Sequence, residues 1–332
     1  MSEFNVAVVG ATGAVGKEMV KILEEREFPI KNLVLLASER SVGETISFKK
    51  KELKVQELNT NSFEDIDIAL FSAGSAVSIK FAPIAAKNGT IVIDNSSAFR
   101  MDSHVPLVVP EVNADDVKKH KGIIANPNCS TIQMVVALKP VLDEVGINRI
   151  IVSTYQAVSG TGKAAIDELE EQSSQILNKK KLTRKVYPHQ IAFNILPHID
   201  KFENNGYTKE EMKLMHETKK IFGNNKIKIT ATAVRVPVFY GHSESIYLET
   251  KKHISIKKLK DIYIKTKGIK LVDDIANDKY PLAIMSETYD DVMIGRLRKD
   301  LSEPNGINMW IVANNLRKGA ALNAVQIAEL LI

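Results

Sequence analysis

The chain has 332 residues, 44% hydrophobic and 26% charged, a composition typical of a soluble globular protein with room for two domains. Its net charge of +5 is small and its short lysine runs carry no interleaved aromatic residues, which argues against a nucleic-acid partner. A single cysteine excludes an internal disulfide, and neither a signal peptide nor an apolar run of about eighteen residues is found, so we expect a cytoplasmic protein without a membrane partner.

Strands and helices are predicted to alternate through the first part of the chain. A β-rich run over 4–10 is followed by a helical pattern that places Val15, Met19, Ile22 and Leu23 on one face. Further elements are predicted as strands over 32–38, 66–74 and 90–96 and as a helix over 76–89. This alternation predicts a parallel α/β sheet that binds a ligand where its strands end.

The pattern changes after Cys129. It predicts a helix over 130–146, a long strand over 147–160 and an exposed, lysine-rich helical segment over about 163–190. The elements predicted next are strands over 226–238, 242–250, 291–300 and 305–315, with a helix near 255–267. Strands that follow one another without helices predict a mostly antiparallel sheet, and hence an α+β domain.

A last helix, over 316–332, has apolar residues along one face and is expected to return to the first domain. We therefore predict a nucleotide-binding domain of residues 1–128 plus 316–332 and a second domain of residues 129–315. The sequence contains no internal repeat and no low-complexity linker between them.

The stretch "GATGAVG" places Gly10, Gly13 and Gly16 between the first strand and the first helix. Glycines allow a tight turn there and let the pyrophosphate of a dinucleotide approach the helix N-terminus. The spacing is not the commoner G-x-G-x-x-G, and an ordinary tight turn is the alternative. Its position after the first strand favours a Rossmann-like domain.

The end of the second strand bears on the choice of cofactor. The sequence "ASERSVG" offers Glu39 and Arg40 between Ser38 and Ser41. An acidic residue there would bind the ribose 2′-hydroxyl of NAD, whereas an arginine with serine donors suits a 2′-phosphate. We expect NADP rather than NAD, the alternative being an exposed loop.

Cys129 follows "NPN" and precedes a predicted helix, which Asn128 or Ser130 can cap. The helix dipole favours a thiolate there, and free backbone N–H groups can stabilise an oxyanion. A thiol after a nucleotide-binding domain suggests covalent aldehyde oxidation, which also needs a base. Periodicity alone does not single out His242 as this base among the seven histidines. The alternative to a nucleophile is that Cys129 is a structural cysteine.

Ordered motifs through essentially the whole chain resemble aspartate-β-semialdehyde dehydrogenase of the bacterial type. They are "GATGAVG", "DNSSAFR", "PLVVPEVN", "NPNCST", "STYQAVSGTGK", "AFNILPHID", "ETKKI", "VRVPVFYGHSES" and "NNLRKGAALNAVQIAE". The resemblance implies reversible, NADPH-dependent reductive dephosphorylation of L-aspartyl-4-phosphate to L-aspartate-4-semialdehyde through a cysteine thioester. It places this reaction in the biosynthesis of lysine, diaminopimelate, threonine and methionine.

The resemblance also implies roles for individual residues. Cys129 resembles the nucleophile, His242 the acid/base, and Gln156 the residue that orients the acyl intermediate. Arg235 resembles the arginine that binds the substrate carboxylate. The remaining substrate residues that the resemblance implies are Glu217 for the amino group and Arg100, Asn128 and Lys220 for the phosphate.

The cofactor residues are implied in the same way. Those for the pyrophosphate are Gly10, Thr12, Gly13, Ala14, Val15 and Gly16. Those for the 2′-phosphate are Ser38, Arg40 and Ser41. Those for further contacts are Ser72, Ala73, Gly74, Ser75, Ser159, Gly160 and Gln326. The resemblance implies a homodimer, a catalytic and dimerisation role for the second domain, and no metal.

Three departures from the family pattern and three alternative functions remain. Ala233 stands where many members have cysteine, Asn126 begins "NPNC" where some relatives have "CPNC", and the segment after Gly162 is shorter than in some relatives. The alternatives are a reductase of N-acetylglutamyl phosphate or 1,3-bisphosphoglycerate, a regulator that has lost catalysis, and a cysteine hydrolase. Glu217 argues against an acetylated amine, and the glycine loop argues against a hydrolase.

Overall fold

The computed structural model describes residues 3–332, so that the first two residues of the predicted nucleotide domain lie outside it. In chain order the strands are β1 Phe4–Val9, β2 Ile30–Ala37, β3 Thr45–Phe48, β4 Lys51–Glu57, β5 Ile68–Phe71, β6 Ile91–Asp94, β7 Ile123–Ala125, β8 Ile147–Gln156, β9 Lys228–Arg235, β10 His242–Thr250, β11 Ile269–Leu271, β12 Val292–Lys299 and β13 Gly306–Ala313. The α-helices are α1 Ala14–Glu25, α2 Ser75–Lys87, α3 Pro110–Asn113, α4 Cys129–Val145, α5 Lys163–Leu177, α6 Lys209–Ile221, α7 Ile256–Lys265 and α8 Leu322–Glu329.

The chain divides into two compact units. The first, which we call the nucleotide unit, is the chain up to Asn128 together with Ala320–Ile332; the second, the catalytic unit, is Cys129–Gly319. The C-terminal return to the first unit begins at Ala320, against residue 316 in the prediction, and lies within a π-helical turn, Arg317–Ala321, that precedes α8.

The nucleotide unit contains a seven-stranded sheet in the order β3-β4-β2-β1-β5-β6-β7. All its pairings are parallel except that of β3 with β4. The interior strand β5 is buried along its whole length, as expected for a parallel strand with both faces covered. This confirms the predicted parallel α/β domain.

Helix α8 packs within the nucleotide unit although it comes from the other end of the chain. Val325 and Ile327 share a core with Met19 and Leu23 of α1. The guanidinium of Arg26 also makes two parallel hydrogen bonds to the Glu329 carboxylate, at 2.6 and 2.7 Å.

The catalytic unit contains a six-stranded sheet in the order β11-β12-β13-β10-β8-β9. Three pairings are antiparallel, and those of β8 with β9 and of β11 with β12 are parallel. The predicted mostly antiparallel sheet is therefore confirmed, in a mixed form. Strands β8 and β9 are parallel because helices α5 and α6 connect them.

The predicted helical segment over about 163–190 is only partly helical. Helix α5 ends at Leu177, and it buries Ala165, Ile166 and Leu169, so the segment is less exposed than predicted. No α-helix among residues 3–332 is both long enough and apolar enough to cross a membrane.

Candidate active site

Three strands of the catalytic unit bring their functional side chains to one edge of the sheet. Gln156 ends β8 and Arg235 ends β9, and the two are direct partners in the parallel pairing. Strand β10 runs antiparallel to β8 and begins at His242, next to the β8 end. The register therefore places Gln156, Arg235 and His242 together, although Gln156 and His242 are 86 positions apart in the sequence.

The His242 imidazole is fully buried, and its hydrogen bonds fix its tautomer. Its Nδ1 accepts a hydrogen bond from the backbone N–H of Ala157 at 3.1 Å. Because that N–H can only donate, the neutral ring carries its proton on Nε2. Burial, with the positive charge of Arg235, lowers the pKa of His242 well below its usual value. His242 is thus a neutral imidazole with an Nε2–H donor.

The Arg235 guanidinium is a buried cation with a free donor. Its Nη1 donates to the Ala157 carbonyl at 2.6 Å, whereas its Nε has no hydrogen-bond partner within residues 3–332. A Cβ built on Gly160 would stand 3.2 Å from both Arg235 Nη1 and His242 Nε2. Gly160, predicted as a cofactor contact, therefore borders the space that both groups face. A buried cation with an unused donor suits a carboxylate ligand.

The Gln156 side chain is held at both ends of its amide. Its Oε1 accepts from the Thr154 hydroxyl at 3.0 Å, and its Nε2 donates to Glu210 at 3.2 Å and lies 3.5 Å from His242 Nε2. Since a carboxylate only accepts, Glu210 holds the amide NH₂ on the His242 side.

Sequence reasoning missed Glu210. Lys213 pairs with its carboxylate at 3.1 Å and with Asp200 at 2.9 Å, so a chain of charges leads from Gln156 toward the surface. Desolvation lowers the pKa of Lys213, but the two carboxylates outweigh it, so that this pKa is raised overall.

Helix α6 carries the same pattern twice. Glu210 and Lys213 recur seven residues later as Glu217 and Lys220, on the same helix face. Seven residues correspond to about 10 Å along a helix axis. The predicted pair, of which Glu217 is buried, therefore lies two turns beyond the pair next to Gln156.

The candidate nucleophile begins helix α4 and is half-buried. Gly319, in the π-helical turn, packs against it so closely that a Cβ there would stand 2.9 Å from the Cys129 Cβ. π-helical turns are rare and are frequent at functional sites. Cys129 itself stands at the start of α4, where the helix dipole favours a thiolate.

The predicted pyrophosphate loop joins β1 to α1. Gly10 has a φ of +84°, and a Cβ on it would meet backbone atoms of Ser72 and Ala73 at 2.9 Å. A Cβ on Gly16 would lie 2.1 Å from the Gly10 carbonyl oxygen, so only glycine fits. Helix α1 follows Gly13 with no side-chain cap and no acidic residue in its first turn. Thr12, Ala14 and Val15 lie in this loop and helix start, which suit an anion.

The predicted 2′-phosphate residues follow β2. Ser38 and Arg40 are exposed, and the Ser41 hydroxyl contacts the Thr12 hydroxyl at 3.2 Å, which links them to the glycine loop. The next strand end, after β5, carries the predicted residues Ser72, Ala73, Gly74 and Ser75. Loops after three parallel strands thus present the predicted cofactor residues at one sheet edge.

Three further predicted residues lie elsewhere. Gln326, in α8, donates to Glu111 at 3.2 Å within the nucleotide unit. Ser159 lies in the catalytic unit, hydrogen-bonded through its hydroxyl to Asn315. Asn128 is buried directly before Cys129.

Arg100 is buried, and its guanidinium donates to the carbonyls of Asn95 and Asn126, each at 2.9 Å. Asn126 accepts in turn from Asn323 of α8 at 2.6 Å, a support that the sequence did not indicate. No group of three potential metal-binding side chains occurs within residues 3–332.

Comparison with known proteins covers both units. The family described as semialdehyde dehydrogenase, NAD binding domain, matches residues 5–120, and that described as semialdehyde dehydrogenase, dimerisation domain, matches residues 138–318. The chain is 58% identical to the aspartate-semialdehyde dehydrogenase of Aquifex aeolicus, over 99% of this chain and 98% of that protein.

Solved structures of aspartate semialdehyde dehydrogenases are similar in fold to this chain. Aspartate semialdehyde dehydrogenase II from Vibrio cholerae, complexed with ASA, has a TM-score of 0.97 and 52% identity, covering 100% of this chain and 98% of that one. The Candida albicans aspartate semialdehyde dehydrogenase with NADP has a TM-score of 0.76 and 25% identity, covering 99% and 98%.

Proposed function

The chain belongs to the aspartate-semialdehyde dehydrogenase family, and we propose that it converts L-aspartyl-4-phosphate reversibly into L-aspartate-4-semialdehyde, with NADPH, through a thioester on Cys129. The observation that carries this proposal is the meeting of Gln156, Arg235 and His242 at one sheet edge. With this activity we propose a place in lysine, diaminopimelate, threonine and methionine biosynthesis, in the cytoplasm, where the thiol stays reduced.

In the first step the Cys129 thiolate attacks the acyl carbonyl. A C–S bond forms, the C–O bond to phosphate breaks, and the phosphate leaves. The His242 Nε2–H and the backbone N–H groups at the start of α4 are the donors available for the oxyanion. Arg100 and Asn128 keep their predicted role at the phosphate.

In the second step the thioester is reduced to the aldehyde. NADPH, when bound, supplies the hydride. The Nε2–H of His242 stabilises the oxyanion that forms, and the C–S bond then breaks to release the aldehyde and restore the Cys129 thiolate. Gln156, fixed by Thr154 and Glu210, orients the acyl group throughout.

The substrate's charges match the described side chains. Arg235 takes the carboxylate, because its buried guanidinium has an unused donor. For the ammonium and the phosphate we propose Glu217, which is buried, and Lys220, as the motif implies. Lys213 already pairs with Glu210 and Asp200, and Glu210 holds the Gln156 amide.

Glu217→Gln tests this choice. We expect KM for aspartate semialdehyde to rise about 10- to 100-fold, because the charged partner of the substrate ammonium is lost. Glu170→Gln, at an exposed glutamate of α5, is the control and should change KM less than about 3-fold, as a surface change does. Steady-state kinetics of the two variants decide; an unaltered KM in Glu217→Gln would contradict the assignment.

The cofactor proposal is NADP, held at its 2′-phosphate by Ser38, Arg40 and Ser41. We expect Arg40→Ala to raise KM for NADPH about tenfold or more and to leave KM for NADH nearly unchanged, because only NADPH carries the phosphate. Arg184→Ala, at an exposed arginine of the catalytic unit, is the control. Equal losses with both cofactors would contradict the assignment.

We propose a homodimer formed through the open face of the catalytic sheet. That face has a cavity of about 540 Å³ with an aromatic and serine lining that includes Tyr155, Trp310, Ser243 and Ser245. Ser245→Arg should give a monomer by light scattering, whereas Ser47→Arg, on exposed β3, should not. A dimer that persists in Ser245→Arg would place the interface elsewhere.

One assay tests the proposed reaction. The protein is mixed with aspartate semialdehyde, phosphate and NADP⁺, and reduced nicotinamide is followed by absorbance. We expect a signal that depends on phosphate, and none with N-acetylglutamate semialdehyde, whose blocked amine cannot pair with Glu217. Signal from the acetylated aldehyde alone would move the assignment to the related reductase.

A further inference from the structure

An acidic side chain lies in the core of the catalytic unit without an ordinary hydrogen bond. Glu244 is fully buried, and neither of its carboxyl oxygens has a hydrogen-bond partner within residues 3–332. The same holds for both amide atoms of Gln133, which is 1% exposed. The Gln133 amide is the polar group that the Glu244 carboxyl faces. Two such groups in a core are costly, so their retention calls for a role.

The pair repeats the arrangement of the catalytic groups one layer deeper. Gln133 is four residues after Cys129 on α4, hence on the same helix face. Glu244 is two residues after His242 on β10, hence on the same sheet face. One helical turn rises about 5.4 Å and two strand residues about 6.6 Å, so the two steps are of similar length. Helix α4 packs on β10.

We propose that Gln133 and Glu244 are positioning residues, which fix the register of α4 on β10 and thereby the approach of Cys129 to His242. An apolar contact would tolerate a small slide of the helix, whereas two buried polar groups that face each other would be left facing apolar atoms if the helix shifted. The inference rests on the roles proposed for Cys129 and His242. Neither positioning residue needs to touch the substrate.

The pair is complementary when the Glu244 carboxyl is protonated. Burial raises the pKa of the Glu244 carboxyl well above its usual value, and Gln133 opposes that rise. The protonated carboxyl has an O–H to donate and the Gln133 amide has both a donor and an acceptor, so the two are complementary without charge.

The decisive variant is the double replacement Gln133→Leu with Glu244→Leu. It removes both polar groups at similar volume, so we expect the melting temperature to stay equal or rise. We nevertheless expect kcat to fall about 10- to 100-fold with KM little changed, because the helix register is no longer fixed. Alkylation of Cys129 by iodoacetamide, measured without substrate, should slow as well.

A second variant keeps the test valid if the double variant does not fold. Glu244→Gln replaces a neutral acid by a neutral amide, so kcat and the alkylation rate should stay within about 3-fold of the unaltered protein. A folded double variant with unaltered kcat and alkylation rate would overturn the proposal, and so would a Glu244→Gln variant with a large loss of kcat and an unaltered melting temperature. Since Cys129 is the only thiol, the alkylation rate reports on its local environment even if the assigned substrate is wrong.

Discussion

Replacing Cys129 by alanine is expected to remove turnover by a factor of about 10⁴ or more, equivalent to roughly 5 kcal/mol or more of transition-state stabilisation. The proposed route passes through a C–S bond to the substrate, and alanine has no sulfur atom to form that bond. The half-buried thiol begins α4, so a methyl group in its place should leave the packing nearly unchanged.

Three control measurements distinguish loss of the nucleophile from loss of cofactor binding or of the fold. NADPH binding, followed by nicotinamide fluorescence, should be unchanged, and the melting temperature should be within a few degrees. Cys129→Ser, which keeps a hydroxyl of much lower nucleophilicity, should also lose most activity. Phosphate-dependent turnover retained by the alanine variant would refute covalent catalysis at this position.

The second large effect is expected at His242. His242→Asn should lower kcat about 10²- to 10⁴-fold, because the side-chain oxygen can still accept from the Ala157 N–H while the Nε2–H donor is lost. His242→Gln can place an amide N–H near the Nε2 position and should keep more activity than the asparagine variant. Equal activity in the two variants would contradict the donor role.

The pH dependence follows from the same hydrogen bond. The pKa of His242 lies well below 6.5 through burial and the charge of Arg235, so the ring stays neutral as the pH falls through 6.5. The rate should therefore show no inflection near pH 6.5 from this residue, and any loss from its protonation should begin at lower pH. An inflection near 6.5 that disappears in His242→Gln would show that the ring is charged near neutrality.

Much of the fold was predictable because burial leaves periodic patterns. The buried strand β5 and the amphipathic helix α1 follow directly from apolar spacing. The β3–β4 hairpin was missed because Lys49 and Lys50 form its turn with positive φ, where Asn-Gly is the usual signal.

A motif names candidate residues for the site, but it does not encode the contacts that each of them makes. Glu210 and Glu217 both begin an acid–lysine pair on one face of α6, and only the structure shows that Glu210 is hydrogen-bonded to Gln156. The His242 tautomer depends on a backbone N–H, which no side-chain pattern encodes. The alternation in β10 puts Glu244 on the face of Ile246 and Leu248, but a charged side chain there is usually expected to be exposed, so its burial was not predicted.

The most direct test of the account is a search for the acyl-enzyme. The protein is mixed with L-aspartyl-4-phosphate without NADPH, quenched in acid, digested and analysed by mass spectrometry. We expect phosphate release equal to the enzyme concentration and an aspartyl group on the peptide that contains Cys129, absent from Cys129→Ala and lost when NADPH is added before the quench. Turnover without any adduct on that peptide, or with the adduct on another residue, would contradict the account.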